Sequence, residues 1–133
     1  MGFAFLEQDA WTLQGLEFIS RIGASNVGFL LDTFHMNIEE KDIARAIRHA
    51  GSKVFHFHAC ENDRGTPGTG HVEWDEVVSA LREIHYQGPV VIEAFTSEIT
   101  EIARAVSLWR PLAPDQDSLA REGLSFLKKI FTH

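Results

Sequence analysis

An α/β fold built on a short parallel sheet is the class this sequence predicts, and three observations lead there. Apolar runs of strand length alternate with stretches of helical periodicity along most of the 133 residues. Those runs are apolar nearly throughout, as in strands covered on both faces by helices. One of them, at Val54 to His58, opens into a long polar connection that carries Glu61, Asp63 and Arg64. A buried strand emptying ionisable side chains into a glycine-rich loop is the layout of an α/β active site.

The elements follow in order. Residues 1–9 give no clear element; Gly2, Phe3, Ala4, Phe5 and Leu6 read as the remnant of something larger. From Ala10 to Ile22, Leu13, Leu16, Ile19 and Ile22 recur at helical spacing, and Gly23 stops the helix. Val27 to Asp32 is a first strand. A helix near residues 40–50 follows, with Ile43 and Ile47 one turn apart and Gly51 as its stop. The second strand, Lys53–His58, has the β-branched and aromatic side chains a pleat accommodates. Gly65, Pro67, Gly68 and Gly70 keep the next stretch free of regular structure. A helix from Trp74 to Tyr86 turns Val77, Val78, Leu81 and Ile84 inward, and Pro89–Glu93 is the third strand. Ser97 is placed to cap a helix with an apolar stripe of Ile99, Ile102, Ala103, Val106 and Trp109. Pro111 and Pro114 break it. Asp117 or Ser118 then caps a last helix that buries Leu119, Leu124, Leu127 and Ile130 or Phe131.

Composition narrows the function classes. With 44% hydrophobic residues, the chain can build a core as a single domain over residues 1–133. A net charge of −7, a pI near 5.4 and 12 scattered basic residues argue against nucleic acid or an anionic membrane as partner. Cys60 is the only cysteine, so there is no internal disulfide and a reducing compartment is expected. No apolar run approaches the roughly 20 residues that span a bilayer, and no export signal precedes the first helix. The expectation is a soluble cytoplasmic protein.

The strand ends carry the chemistry. Asp32, His58 and Glu93 close the three strands, 26 and 35 positions apart. A (β/α)8 barrel uses about 30 residues per unit in a total of roughly 250. The spacing therefore predicts a partial (β/α)8 TIM barrel: about three parallel strands with flanking helices, too few to close. Side chains alternate along a strand, so Gly28, Leu30 and Asp32 share a face, as do His56 and His58, and Val91 and Glu93. If those faces line the barrel, the three ligands converge at its carboxyl-end mouth. Two carboxylates with an imidazole suit Mn²⁺, Mg²⁺ or Co²⁺. Each residue also has a plain structural reading. A strand-end carboxylate can be a helix cap or an ion-pair partner. His35 can hydrogen-bond a neighbouring loop, and Arg64 can be a solvated charge. His56 reads as a packed core histidine, His71 and Trp74 as pocket rim or packing, and Cys60 as an inert small residue without a catalytic role.

The segments LLDTFHMNIEE (Leu30–Glu40), HFHACENDRGTPGTGHVEWDE (His56–Glu76) and VVIEAF (Val90–Phe95) closely resemble the ketose 3-epimerases of the D-tagatose/D-psicose type. These belong to the barrel superfamily that includes xylose isomerase. WRPLAP (Trp109–Pro114) resembles that family's C-terminal region, so the chain is read as the C-terminal portion of such a barrel. The resemblance implies a divalent ion, Mn²⁺ foremost, held by Glu, Asp, His and Glu from successive strands; Asp32, His58 and Glu93 match the last three. His35 and Arg64 match the substrate-contacting His and Arg. Implied is epimerisation at C3 of a free ketose of the D-tagatose, D-psicose or D-fructose type through a cis-enediolate, the ion acting as Lewis acid and template. Two glutamates on opposite faces exchange the C3 proton, and Glu93 is one of them.

By family spacing, the first metal-binding Glu falls at or just before Met1, and Glu7 sits too near the first helix to replace it. The expectation is an epimerase impaired by the missing Glu and N-terminal half. The alternative is a non-catalytic barrel fragment acting as an oligomeric assembly or interaction module. Inosose dehydratases and hydroxypyruvate isomerases are lesser possibilities, and the superfamily's DNA-repair endonucleases are disfavoured by the acidic charge. Two open sheet edges and water-facing Gly28, Leu30, Val54, His56 and Val91 predict a homodimer or higher homo-oligomer.

Overall fold

The computed structural model describes residues 10–132; Glu7 and the rest of the first nine residues lie outside the described part. Three parallel strands, β1 (Phe29–Asp32), β2 (Val54–His58) and β3 (Val90–Val91), form one sheet with β2 in the centre. The register pairs Asp32 with His58, and His58 with Val91, so the carboxyl ends of the strands lie level. Around them run α1 (Ala10–Ile22), α2 (Thr33–Glu39), α3 (Ile43–Ala50), α4 (Trp74–Glu83), α5 (Thr100–Ala105) and α6 (Gln116–Thr132). This is a partial TIM barrel. None of its helices is long and apolar enough to cross a membrane, among the described residues.

The helices cover one face of the sheet. Asp42 caps α3 by accepting from the Arg45 amide at 2.8 Å, and Gly51, at φ 54°, ends it in a conformation glycine adopts freely. Ala46, Ala50 and Ala80 are small and buried, so α3 and α4 pack closely. At their outer edge Arg48 grips Glu83 with two hydrogen bonds of 2.7 and 2.8 Å. Leu31 and Phe57 from the sheet meet Ile47, Val77, Leu81 and Leu127 from the helices to form the core. Asp115 starts α6 by accepting from the Ser118 amide at 2.6 Å.

Several elements differ from the sequence expectation, each for a local reason. Residues 33–39 form a helix, α2, which carries no apolar stripe of its own and is started by Asp32. The helix expected near 40–50 begins only at Ile43. α4 ends at Glu83, three residues short of Tyr86, because His85 takes φ 56° and the Tyr86 amide bonds back to the Leu81 carbonyl at 3.0 Å. α5 ends the same way: Ser107 is at φ 56° and the Leu108 amide reaches the Ala103 carbonyl at 2.7 Å. Both are Schellman stops without the usual glycine. Trp109 is thus left outside α5, 93% exposed, and Ser97 does not cap that helix. Leu124 lies on the exposed side of α6. β3 is two residues long, so Glu93 follows it rather than ending it. Finally, the β1–β2 register slips between Phe29 and Leu30. That bulge buries Val54 against the helices and turns Phe55 outward, against the expected facing.

Candidate metal centre

The site is built on Asp32. One of its oxygens, Oδ1, accepts the Phe34 and His35 amides at 2.9 and 3.3 Å and so caps α2. The other, Oδ2, faces His58 Nδ1 at 3.3 Å. Strand register supplies that meeting, since Asp32 and His58 are paired neighbours. From the opposite side Glu93 brings Oε1 to 3.6 Å from the same imidazole nitrogen. His58, on the central strand, therefore stands between two carboxylates. The cap reading of Asp32 uses Oδ1 and leaves Oδ2 facing His58.

Cys60 completes the cluster, and the sequence reading gave it no role there. Its Sγ lies 3.3 Å from Asp32 Oδ2 and 3.4 Å from the Glu93 carbonyl. Burial first, and then the nearby Asp32 charge, push its thiol well above the ordinary range, so it stays protonated and donates to Asp32. Its position two residues after His58 was the one signal available.

The donors present fit a divalent cation. Ligand atoms of Asp32, Cys60 and Glu93 all lie within 4.8 Å of one another. Two donors about 2.1 Å from a shared ion stand roughly 3.0 Å apart at an octahedral angle and 3.4 Å at a tetrahedral one. The Asp32–His58 and His58–Glu93 separations are 3.3 and 3.6 Å, so small side-chain shifts would bring these donors onto one ion.

His35 and Arg64 form a second pair beside the first. Arg64 is buried, not solvated: its guanidinium stacks 3.8 Å from the Phe34 ring centroid and 4.9 Å from that of Phe95. Nη1 donates to the Val106 carbonyl at 3.1 Å, and Nη2 meets His35 Nε2 at 3.4 Å. Arginine only donates, so His35 accepts on Nε2 and carries its proton on Nδ1. The backbone of Arg64 sits at φ 65°, a costly conformation for a side chain of this size. His35 is exposed and lines the cleft; Arg64 lies behind it.

Glu61, wholly buried, organises the loop that carries Arg64. Its carboxylate accepts from the Asn62, Gly68 and Val72 amides and from the Trp74 indole, at 2.8 to 3.1 Å. Burial is the largest single effect and would raise its pKa, but the Trp74 and backbone hydrogen bonds together hold it below the ordinary value. Trp74 is thus packing, set edge-on to Phe126, and not pocket rim. His56 is half-buried and edge-on to His58, while exposed His71 meets Asn37 at 3.2 Å.

Asp32, His35, His58 and Glu93 open onto a cleft of about 710 Å³, walled by Trp11, Phe18 and Leu30. Against known proteins, residues 7–130 match the family described as xylose isomerase-like TIM barrel. The chain belongs to that family. Within this barrel family it is 46% identical over 118 residues to a probable ketose 3-epimerase of Synechocystis sp., covering 89% of this chain and 41% of that protein. To a D-psicose 3-epimerase of Enterocloster bolteae it is 41% identical over 123 residues, with the same 89% and 41% coverage. A solved structure of an L-ribulose 3-epimerase matches with a TM-score of 0.86 and 38% identity, over 91% of this chain and 41% of that one. The chain spans about two-fifths of the length of the curated relatives it matches. Three strands of a barrel's eight are a similar share.

Proposed function

We propose that this chain carries the metal-binding and proton-transferring part of a ketose 3-epimerase, acting at C3 of a free ketose of the D-psicose, D-tagatose or D-fructose type. The observation that carries this reading is the convergence of Asp32, His58 and Glu93 at one cleft, in a chain whose relatives bear ketose 3-epimerase names. Asp32, His58 and Glu93 would hold a divalent ion, Mn²⁺ first and Mg²⁺ or Co²⁺ otherwise. When bound, such an ion supplies Lewis-acid polarisation of the sugar oxygens and a template for the ketose.

The chain's own residues divide the remaining work. Asp32 is 6% exposed and its Oδ1 is committed to α2, so it cannot swing toward a substrate carbon. Glu93 is half-buried at the cleft and free to do so, which makes it the group that removes and returns the C3 proton by way of a cis-enediolate of the sugar. His35 offers Nδ1–H to a sugar oxygen, and Arg64 completes the substrate-binding pair by holding the ring from behind. Inversion at C3 needs a second proton-transfer group on the opposite face of the sugar. The protein is read as a single domain, the C-terminal part of its barrel. It is expected to work in the cytoplasm, as a homodimer or higher oligomer that covers Leu30, Phe55 and Val91.

The test is to incubate the protein with Mn²⁺ and each of the three ketoses and resolve the C3 epimers by chromatography. Epimer formed by a chain extended to full barrel length, and lost in Glu93→Gln, is the expected result. No epimer from any of the three by that longer chain would overturn the reading. A second reading, a non-catalytic interaction module, draws on the exposure of Trp11 (63%), Phe18 (65%) and Leu30 (54%) along one cleft. It predicts self-association with no chemistry at C3.

A further inference from the structure

We propose that Thr33 is a positioning residue of the metal centre: its hydroxyl replaces the rung that β1 loses where α2 begins, and so holds His58 between Asp32 and Glu93. This rests on the metal-site reading above and adds to it a residue that touches no ion.

The last backbone pair between β1 and β2 is Asp32 with His58. At Thr33 the chain turns into α2, and its own backbone leaves the sheet. Ala59 and Cys60, both buried, then run past the end of the neighbouring strand, and their peptide groups need other partners. On the β3 side the Ala59 amide donates to the Val91 carbonyl at 2.8 Å. On the β1 side the Thr33 side chain stands in for the departed backbone. Its Oγ1 accepts from the Cys60 amide at 2.8 Å and donates to the Cys60 carbonyl at 2.5 Å. A hydroxyl carries one proton and two lone pairs, so one group serves both. The proton goes to the nearer acceptor, since the His58 carbonyl stands at 3.4 Å.

The consequence falls on the site. Thr33 is fully buried and directly follows Asp32, and Cys60 lies two residues after His58. The clip therefore joins the two strand ends that carry these donors, while the Ala59–Val91 bond joins β2 to the strand that leads to Glu93. Between the two ties, His58 Nδ1 stands 3.3 Å from Asp32 Oδ2 and 3.6 Å from Glu93 Oε1. Without the hydroxyl, the Cys60 amide and carbonyl are buried and unpaired, and the segment gains by turning them toward water. That movement carries the end of β2, and with it the imidazole, away from Asp32. Metal–ligand distances tolerate only about 0.2 Å of such displacement, so the loss shows in metal affinity as well as in stability.

Mn²⁺ binding is measured by calorimetry on metal-free native protein, Thr33→Val, Thr33→Ser and Asp42→Ala. Valine keeps the shape of threonine without its hydroxyl, and serine keeps the hydroxyl. Asp42→Ala removes the cap of α3, lines no part of the cleft that holds the ligands, and is the control for lost stability alone. Expected are an affinity about tenfold or more lower in Thr33→Val and within about threefold of native in Thr33→Ser. Asp42→Ala should melt at a lower temperature and bind Mn²⁺ as the native chain does. In the native chain the Cys60 amide, followed by NMR in deuterated solvent, should exchange as slowly as the amides within β2. Thr33→Val binding like native, or Thr33→Ser losing as much as Thr33→Val, overturns the proposal and leaves the Asp32–His58–Glu93 site standing. A Cys60 amide that exchanges as fast as exposed loop amides does the same, and decides the matter if Thr33→Val loses its native circular dichroism. Native protein that binds no Mn²⁺ overturns the metal-site reading and this inference with it.

Discussion

Asp32 and His58 face each other across adjacent parallel strands, Oδ2 to Nδ1 at 3.3 Å, while the other oxygen of Asp32 starts the next helix. One residue thus joins sheet register to site geometry. Its two oxygens have separable jobs, and substitutions can separate them.

Asn caps a helix about as well as Asp. Asp32→Asn should leave thermal stability within about 0.5 kcal/mol of native while lowering Mn²⁺ affinity by about tenfold or more. Asp32→Ala removes both functions and should add a loss of about 1 kcal/mol for the cap. Calorimetric metal titration and thermal unfolding of the two variants check this. An Asp32→Asn chain that binds Mn²⁺ like the native one would show that the carboxylate is only a cap.

Glu61 is the corresponding test of the loop. Glu61→Gln replaces one acceptor oxygen with a donor, so two of the four donors now satisfied lose their partner whichever way the amide turns. A stability loss of about 3 kcal/mol is expected, measured by urea unfolding near neutral pH. The folded carboxyl pKa is lowered from its ordinary 4.5, so its contribution is fully present above that pH and fades as pH falls through the folded value. The penalty of Glu61→Gln should therefore be flat from about pH 5 to 8 and shrink below about pH 4. A penalty that grows on acidification would contradict the assignment.

Much of this arrangement is legible in the sequence, and the illegible parts have physical causes. Apolar runs and helical spacing reveal β1, β2, α1 and α3 because burial on one side writes a period into the chain. α2 escapes notice because its seven residues are too few to write a clear helical period into the chain. The true ends of α4 and α5 are hidden because His85 and Ser107, not glycines, take the left-handed turn. The facing of Val54 and Phe55 depends on a bulge, which pairing decides and composition does not. Asp32, His58 and Glu93 stand out because the strands deliver them to one end. Glu61 is visible as a loop carboxylate, but its organising role is not, since three of its partners are loop amides that any residue would supply. Arg64 is visible as a motif residue, but its stacking between Phe34 and Phe95 is a tertiary fact.

The open face of the sheet makes a prediction about assembly. Leu30, Phe55 and Val91 are 54, 46 and 38% exposed, and β1 and β3 each leave an edge without a partner among the described residues. Sedimentation equilibrium at micromolar concentration should show a dimer or larger species. The double variant Leu30→Glu, Val91→Glu should shift it to 15.0 kDa. Native protein that sediments as a single 15.0 kDa species with cooperative unfolding would refute self-association.

Proton exchange at C3 is the most direct measure of the chemistry assigned to Glu93, because it needs a carboxylate on only one face of the sugar. D-Psicose is incubated with the protein and Mn²⁺ in deuterated buffer, and the C3 position is followed by NMR. Deuterium should accumulate at C3, should require the divalent ion, and should fall to background in Glu93→Gln. If the native chain with Mn²⁺ bound incorporates no more deuterium at C3 than Glu93→Gln does, Glu93 is not the proton-transfer group and this chain is not a catalytic part of an epimerase.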